Sequence, residues 1–524
     1  MAAFSDTICA PATPAGAGAI TVIRVSGPSA LDIADKVVSF RRGSAASAKG
    51  YSLKFGSILD AAGEVVDEVL VSVFKAPASY TGEDGVEISC HASSFIVSQL
   101  LSLLCAAGCR MALPGEFTQR AFVNGKMDLS QAEAVADVIA SRSAAAHRVA
   151  MNQMRGGYSD ELRGLRDRLV ELSALLELEL DFSEEEVEFA DREKLRELAD
   201  RACVHCRRLA DSFKLGNAVK NGVPVAIVGA PNSGKSTLLN ALIGDDRAIV
   251  SPIAGTTRDT VEETCVLGGV LLRFVDTAGI RASEDLVEKL GIERTFKEMS
   301  RASVVLGVVD GTLQPFEQRA AAREIAARVY GVSEVSGVSG AGGSSKAACA
   351  SGGVSDAGSP SGCDQRLIIV RSKADVVCAA PLPSRDALAE CRLGVSEGIA
   401  SVVSGGQGVI GARVAGAAKC EVPIINISAA NGLGMDELRD AIVTAVDLPS
   451  SGETLVTNAR HAAALSDAAG SLSHVLDGLR LGIPGDLLAE DLRAAIASLS
   501  GILGEQISAD EILGEIFGKF CIGK

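Results

Sequence analysis

Val223-Pro-Val-Ala-Ile-Val-Gly-Ala-Pro-Asn-Ser-Gly-Lys-Ser-Thr-Leu-Leu-Asn-Ala-Leu-Ile243 reads as a buried strand, a glycine-bearing loop and a helix in immediate succession. From Gly229 to Ser236 it fits G-x-x-x-x-G-K-[ST], the phosphate-binding loop, in the strand-loop-helix setting that the motif requires. A side chain at Gly229 or Gly234 would keep the backbone from wrapping a polyphosphate, whose charge is met by successive N–H groups and by the following helix N-terminus. Lys235 then reaches the terminal phosphates. Ser236 offers a hydroxyl to Mg²⁺, a hard cation that takes oxygen ligands.

Outward from this loop, strands alternate with helices from Val225 to about Leu448, the mark of a parallel sheet with its ligand at the strand C-termini. In Val250-Ser-Pro-Ile-Ala-Gly-Thr-Thr-Arg-Asp259 a threonine can complete the Mg²⁺ shell and sense a γ-phosphate. Strand Leu271–Val275 runs into Asp276-Thr-Ala-Gly279, an aspartate and a glycine N–H placed as a second switch. Ser303–Val309 and Arg366–Val370 read as further strands, the latter leading into Ser372-Lys-Ala-Asp375. Val422–Ile427 reads as the last, leading into Ser428-Ala-Ala430. Gly331–Gly362 is Gly/Ser/Ala-rich with little periodicity and reads as a disordered surface insertion, and Val402–Ala418 as loop.

Residues 1–118 read as a mixed α/β domain with strands at Ala19–Val25 and Glu68–Phe74 and a helix at Ser93–Ala106. By spacing alone Glu83, Asp84 and Glu87 belong to a solvated, turn-rich loop. From Leu129 to Leu215 the pattern is long and amphipathic, as in Leu162, Leu165, Leu169, Leu172 and Leu175-Leu176. Asp181–Glu188 is an acidic run expected at an exposed helix boundary. Helical periodicity returns from Glu453 and closes on Cys521-Ile-Gly-Lys524. The economical architecture is therefore an N-terminal α/β domain (1–118), a discontinuous helical domain (119–215 and 453–524) and a nucleotide-binding domain inserted into it (216–452).

A chain of 524 residues exceeds what one core can organise. Thirteen scattered cysteines, an odd number, suit reduced thiols and a cytoplasmic setting, and no apolar run reaches the roughly 18 residues needed to span a bilayer. Cys203-Val-His-Cys206 stands in a helical stretch without a second pair, so ordinary helix thiols are favoured over zinc. A net charge of −16 argues against broad electrostatic wrapping of nucleic acid. A local patch or a partner would have to supply such contacts.

The ordered set of P-loop, Gly-Thr-Thr-Arg-Asp, Asp-Thr-Ala-Gly, x-Lys-x-Asp and Ser-Ala resembles the translation-factor class of GTPases. Asp375 would then select guanine by pairing with its N1–H and exocyclic amine. Ser372 stands where that class carries asparagine, and its shorter side chain is expected to lose contact with both the base edge and the P-loop. With the flanks included, Thr13-Pro-Ala-Gly-Ala-Gly-Ala-Ile-Thr-Val-Ile-Arg-Val-Ser-Gly27, Tyr80-Thr-Gly-Glu-Asp84, Pro114-Gly-Glu-Phe-Thr-Gln-Arg-Ala-Phe122 and Cys521-Ile-Gly-Lys524 are similar to the MnmE (TrmE) family over nearly the whole chain.

That resemblance implies a homodimeric tRNA-modification GTPase. With MnmG (GidA), an FAD- and NADH-using partner in a heterotetramer, such an enzyme builds 5-carboxymethylaminomethyl on the wobble uridine of certain tRNAs. It implies a tetrahydrofolate derivative, 5-formyl or 5,10-methylene, bound by Arg24, Glu87, Lys126 and Lys524. GTP would be held by Asn232, Ser233, Gly234, Lys235, Ser236 and Thr237, and by Ser251, Pro252, Ile253, Ala254, Gly255, Thr256 and Thr257. Asp276, Thr277, Ala278 and Gly279, with Ser372, Lys373, Asp375, Ser428 and Ala429, complete that set. Potassium falls to Asn232, the backbone oxygens of Ser251 and Ile253, and Thr256, and Mg²⁺ to Ser236 and Thr257. Potassium there would neutralise charge between the phosphates as an arginine finger does. Ile280 occupies the place of a water-orienting glutamine, and Glu288 matches the family's catalytic glutamate, acting beside Lys235. Cys521 is a conceivable thiol nucleophile, though a structural role is as compatible with its neighbours. A ribosome-assembly or RNA-associated GTPase switch would share the nucleotide motifs, but such proteins usually append an RNA-binding domain where helices follow here.

Overall fold

The computed structural model describes residues 4–14, 16, 18–60, 62–181, 192–244, 263–275, 302–329, 366–377, 422–446, 454–505 and 523. Contacts divide the chain into one unit of Met1–Ser141, His147–Phe213 and Thr454–Lys524, and a second of Arg142–Ala146 and Lys214–Glu453. The chain leaves the first unit and returns to it, so the second is an insertion.

In the first unit the strands are β1 (Thr7–Pro11), β2 (Ile20–Ser26), β3 (Val38–Phe40), β4 (Ser52–Leu59), β5 (Val65–Phe74), β6 (Gly85–His91) and β7 (Cys109–Met111). They form one sheet in the order β3-β4-β5-β6-β2-β1-β7, antiparallel except for the β1–β7 pair. Strand alternation fixes its faces. Val69, Val71 and Val73 of β5 join Ile23, Val25 and Ile88 in a core covered by helices α1 (Ala30–Val37) and α2 (Ser94–Ala106). On the opposite side of β4 and β5, Leu53 and Leu70 are exposed.

After α3 (Glu116–Val123) come α4 (Leu129–Ala140), α5 (Ala144–Met154), α6 (Gly157–Asp181) and α7 (Arg192–Asp211). Asp128 and Gln131 close a reciprocal capping box at the start of α4. The expected leucine stripe of α6 is buried at Leu162, Leu169, Leu172 and Leu176. Cys203 and Cys206 of α7 are buried core thiols, and Cys203 Sγ donates to the Ala469 carbonyl at 3.4 Å.

The inserted unit continues with α8 (Phe213–Asn221), β8 (Val223–Gly229), α9 (Lys235–Gly244), β9 (Glu263–Leu267), β10 (Val270–Phe274) and β11 (Val304–Asp310). It is completed by α10 (Pro315–Val329), β12 (Arg366–Ser372), α11 (Ala374–Val377), β13 (Ile424–Asn426) and α12 (Met435–Val446). Its six strands follow the order β13-β12-β11-β8-β10-β9, parallel except for β9–β10. Both faces are covered, which is why β8, β11 and β12 read as nearly continuous apolar runs. The expected insertion at 331–362, the loop at 402–418 and the acidic run past Asp181 lie outside the described residues.

Helices α13 (Ala459–Leu481) and α14 (Gly485–Leu503) return to pack on α7 and α6. Glu133 of α4 locks the re-entry: it accepts from His461 Nε2 at 2.7 Å, Asn458 Nδ2 at 3.0 Å and Arg460 Nε at 3.2 Å. Burial pushes the Glu133 pKa up, but the His461 hydrogen bond and the Arg460 charge outweigh it and hold the carboxyl below its usual 4.5. A depressed folded pKa contributes stability above the unfolded value and loses it as pH falls through the folded one. Glu133→Gln is therefore expected to cost about 3 kcal/mol at neutral pH. Thermal unfolding followed against pH should show the gap to the unaltered chain narrowing below 4.5, and a gap independent of pH would exclude the ionised pair as its origin.

Candidate functional site

At the C-terminal end of β8 the backbone turns so tightly that a Cβ on Gly229 would run into the Val308 carbonyl and Ser233 Oγ. Gly234 has φ +98°, a conformation open to glycine at little cost. Lys235, first residue of α9, folds back over the loop and donates to the carbonyls of Gly229 at 2.9 Å and Ala230 at 2.7 Å. Burial holds its ammonium below the usual lysine range. Ser233 is buried, and its Oγ has no partner among the described residues. Asn232, Ser236 and Thr237 face solvent around the loop. A tight loop that turns on two glycines, an orphaned hydroxyl and a desolvated cation fit a polyphosphate.

Ser372 corrects an expectation. Strand β12 extends through it, so its Oγ donates to the Ser233 carbonyl at 2.6 Å and lies 3.3 Å from the Val309 carbonyl. The P-loop link that the shorter side chain was expected to lose is present, because backbone position supplies the reach. Next to it Lys373, at φ +56°, pairs with Asp310 at 2.6 Å. Burial raises the Asp310 pKa, but hydrogen bonds from Lys373 and Thr312 prevail and lower it. Asp375 is exposed in the first turn of α11, whose Ala374 N–H bonds the Ile427 carbonyl. Beyond β13, Ser428 Oγ is buried without a partner among the described residues, and Ala429 is half-buried beside it. The structure thus gathers Asn232–Thr237, Ser372, Lys373, Asp375, Ser428 and Ala429 at the C-terminal edge of one sheet. Ser251–Thr257, Asp276–Gly279, Ile280, Glu288, Cys521 and Lys524 lie outside the described residues.

In the first unit a cleft of about 380 Å³, its open mouth included, is lined by Arg24, Ser26, Phe74, Tyr80, Thr81 and Glu87 among others. Register pairs Arg24 of β2 with Glu87 of β6, and both Arg24 Nε and Nη2 donate to Glu87 Oε1, at 2.9 and 2.8 Å. The guanidinium lies 5.0 Å from the Tyr80 ring centre and 5.6 Å from that of Phe117. Burial pushes the Tyr80 phenol up, and its hydroxyl is within 2.9 Å of Thr118 Oγ1. The reading of Glu83 and Glu87 as solvated loop carboxylates is wrong. Glu87 is a strand residue 28% exposed at its side chain, and Glu83, at 12%, contacts Arg120 and Ser26. Lys126 is exposed and donates to the Pro77 carbonyl at 3.1 Å, tying down the loop before the cleft. The one described tail residue, Gly523, is buried at the end of β1, so close that a Cβ would strike the Pro11 carbonyl.

Arg120, Phe117 and Asp310 carry this geometry and escaped sequence reasoning. The spacing of Glu116 and Arg120 on α3 was the available signal for the first, a helical i,i+4 pair.

A mainly parallel sheet with a phosphate loop after β8 and a Lys-x-Asp at the end of β12 defines a P-loop GTPase. The helical-domain model of MnmE matches residues 129–521, and the model of the TrmE N-terminus, described as a GTP-binding protein, matches 7–126. The tRNA modification GTPase MnmE of Bacteroides thetaiotaomicron is 46% identical over 99% of each chain. That of Parabacteroides distasonis is 43% identical over 99% of this chain and all of its own length, and that of Flavobacterium johnsoniae 43% identical over 99% of each. The chain belongs to the MnmE family of tRNA-modification GTPases.

Losing a bond to a buried carbonyl costs about 1–3 kcal/mol. Ser372→Ala is therefore expected to weaken GTP binding by about tenfold, as read by titration with a fluorescent analogue. Undiminished affinity would show that the Ser372–Ser233 bond does not shape the loop.

Proposed function

We propose that the chain is a potassium-dependent GTPase that works with MnmG to install 5-carboxymethylaminomethyl on wobble uridine, with a one-carbon unit from tetrahydrofolate. The reading is supported by the seat of Gly523, which lies against Pro11 of β1, the neighbour of the strand that bears Arg24. Cys521 and Lys524, two positions before and one after Gly523 in sequence, would then act at the cleft. Lys126 and Lys524 would hold folate's carboxylate, and Arg24 and Glu87 would together face its pterin, Glu87, both of whose Arg24 bonds fall on Oε1, keeping Oε2 for the pterin N–H groups. Bound folate would supply a one-carbon unit, at the formate level from 5-formyl or the formaldehyde level from 5,10-methylene; the chain's residues would bind and orient it. The exposed Leu53 and Leu70 on the outer face of β4 and β5 support dimerisation through residues 1–118.

In the inserted unit, Asn232–Thr237 with Ser251–Thr257 and Asp276–Gly279 would hold the phosphates, and Ser372, Lys373, Asp375, Ser428 and Ala429 the base. Ser236 and Thr257 would ligate Mg²⁺, and Asn232 with Ser251, Ile253 and Thr256 potassium. Glu288 would orient the attacking water, since Ile280 cannot. Hydrolysis would alter how two GTPase units of a dimer approach each other and so reorganise the helices that bear the tail.

Hydrolysis of GTP is expected to be fast in K⁺ and slow in Na⁺, and equal rates would remove the cation site. A chain lacking Cys521–Lys524 should hydrolyse GTP nearly as well as the full chain yet leave wobble uridine unmodified when it is the only copy in the cell. Mass spectrometry showing normal modification would defeat the tail's role.

A further inference from the structure

A guanidinium cut off from water is tolerated only when its charge is matched and most of its N–H groups are bonded. Arg120 of α3 is fully buried. Its Nη2 donates to Asp6 Oδ1 at 2.7 Å and Glu116 Oε1 at 3.0 Å; its Nη1 donates to the Asp6 carbonyl at 2.9 Å and lies 3.3 Å from both oxygens of Glu83. Arg110 balances the far side, bonding Asp6 Oδ2 at 2.7 Å and Glu116 Oε1 at 2.6 Å. Two arginines and three carboxylates therefore form one network, in which Arg120 Nε is left without a partner among the described residues.

Of the three carboxylates, Glu83 is the one bonded to residues that line the cleft. Its Oε2 accepts from Ser26 Oγ at 2.8 Å, its backbone carbonyl from Ser79 Oγ at 2.6 Å, and its own N–H donates to Thr81 Oγ1 at 3.3 Å. Ser26 and Thr81 also touch each other at 2.6 Å. Ser26, Ser79 and Thr81 all line the cleft. Arg120 itself has no surface there, so whatever it does for a ligand it does through Glu83.

We propose that Arg120 is a positioning residue: acting through Glu83, which lies behind the lining, it fixes the Ser79–Thr81 wall of the cleft against β2 and so sets the affinity of the cleft for its ligand. This rests on the folate reading of the cleft. Glu116 shares the same guanidinium but carries none of the cleft-lining hydroxyls, which makes it the internal control. Arg120→Lys keeps the charge but replaces a fork that bridges three carboxylates by a single ammonium.

The experiment titrates 5-formyltetrahydrofolate into the full chain and into its Glu83→Gln, Arg120→Lys and Glu116→Gln forms, with melting temperatures and amide hydrogen exchange of Ser79–Asp84 measured on each. Glu83→Gln and Arg120→Lys are expected to bind at least about tenfold more weakly, the order expected when a wall shifts by a fraction of an ångström. Both should also speed exchange in that loop. Glu116→Gln should melt lower yet bind within about twofold of the unaltered chain. Equal affinity in all forms, or losses that follow melting temperature whichever carboxylate is changed, would overturn the proposal. If the unaltered chain binds no folate, the folate reading falls, and the loop exchange still decides for or against the Arg120–Glu83 link.

Discussion

The first unit cannot complete its core until chain segments separated by the whole inserted unit meet. Leu162, Leu169 and Leu172 of α6 and Ala199 and Cys206 of α7 share one cluster with Leu465, Leu472, Leu492 and Leu499, which follow the insertion. Closing a free loop of about 240 residues costs roughly 5 kcal/mol, and the dependence on length is logarithmic. Each leucine removed from water returns about 2 kcal/mol, so a few of those returning side chains offset the closure. The departing and returning chains are also pinned to each other, since Val456 N–H donates to Ser212 Oγ at 3.1 Å. An insertion with joined ends can fold on its own sheet without disturbing its host.

That junction is polar and buried, which gives it a defined geometry rather than a greasy, slippery one. Gln153 donates to the Leu455 carbonyl at 3.0 Å, and Thr457 lies between Gln153 and Asp137. His461 stacks on Tyr158 with ring centres 5.5 Å apart while its Nε2 contacts Glu133. From α4, which carries Glu133, the contacts run on through Leu129 and Phe122, both crowded against Gly504 at the end of α14. Two residues before Phe122 on α3 sits Arg120. From the returning chain a continuous set of packed and hydrogen-bonded contacts thus runs to Arg120, and through Glu83 to the residues that line the cleft. Spatial continuity of this kind is what a nucleotide-driven rearrangement would need to act on.

The parts of the molecule legible in sequence are those where cause and effect lie within a few residues. The P-loop announces itself because strand, turn glycines and helix are consecutive, and the leucine stripe of α6 because helical periodicity needs no partner to be seen. Glu83 and Glu87 were misread because their partners lie 37 and 63 residues away in sequence, at Arg120 and Arg24. A carboxylate-rich turn and a buried ion network have the same local composition; only the sheet register, which pairs Arg24 with Glu87, tells them apart. Ser372 was misjudged for a different reason. Side-chain length was taken as the limit on reach, whereas the extension of β12 carries the whole residue to within hydrogen-bond distance of the loop.

The two sites also differ in what already faces their cations, and this sets what each can gain from an anion. The Lys235 ammonium is held by two carbonyl dipoles in a half-buried place where its pKa is already depressed. A polyphosphate there replaces partial charges with full ones in a medium of low dielectric, so the gain in interaction is large. Arg24 is already bonded to a carboxylate through two N–H groups and flanked by aromatic rings. An anionic ligand at Arg24 would compete with Glu87 for the same charge, and its net gain in energy is small. What the pair offers instead is direction: a guanidinium and a carboxylate oxygen fixed in plane present a donor and an acceptor edge to a heterocycle. The charges already in place therefore let the phosphate loop gain much from an anion and the Arg24–Glu87 cleft little, so what the cleft contributes is direction rather than charge.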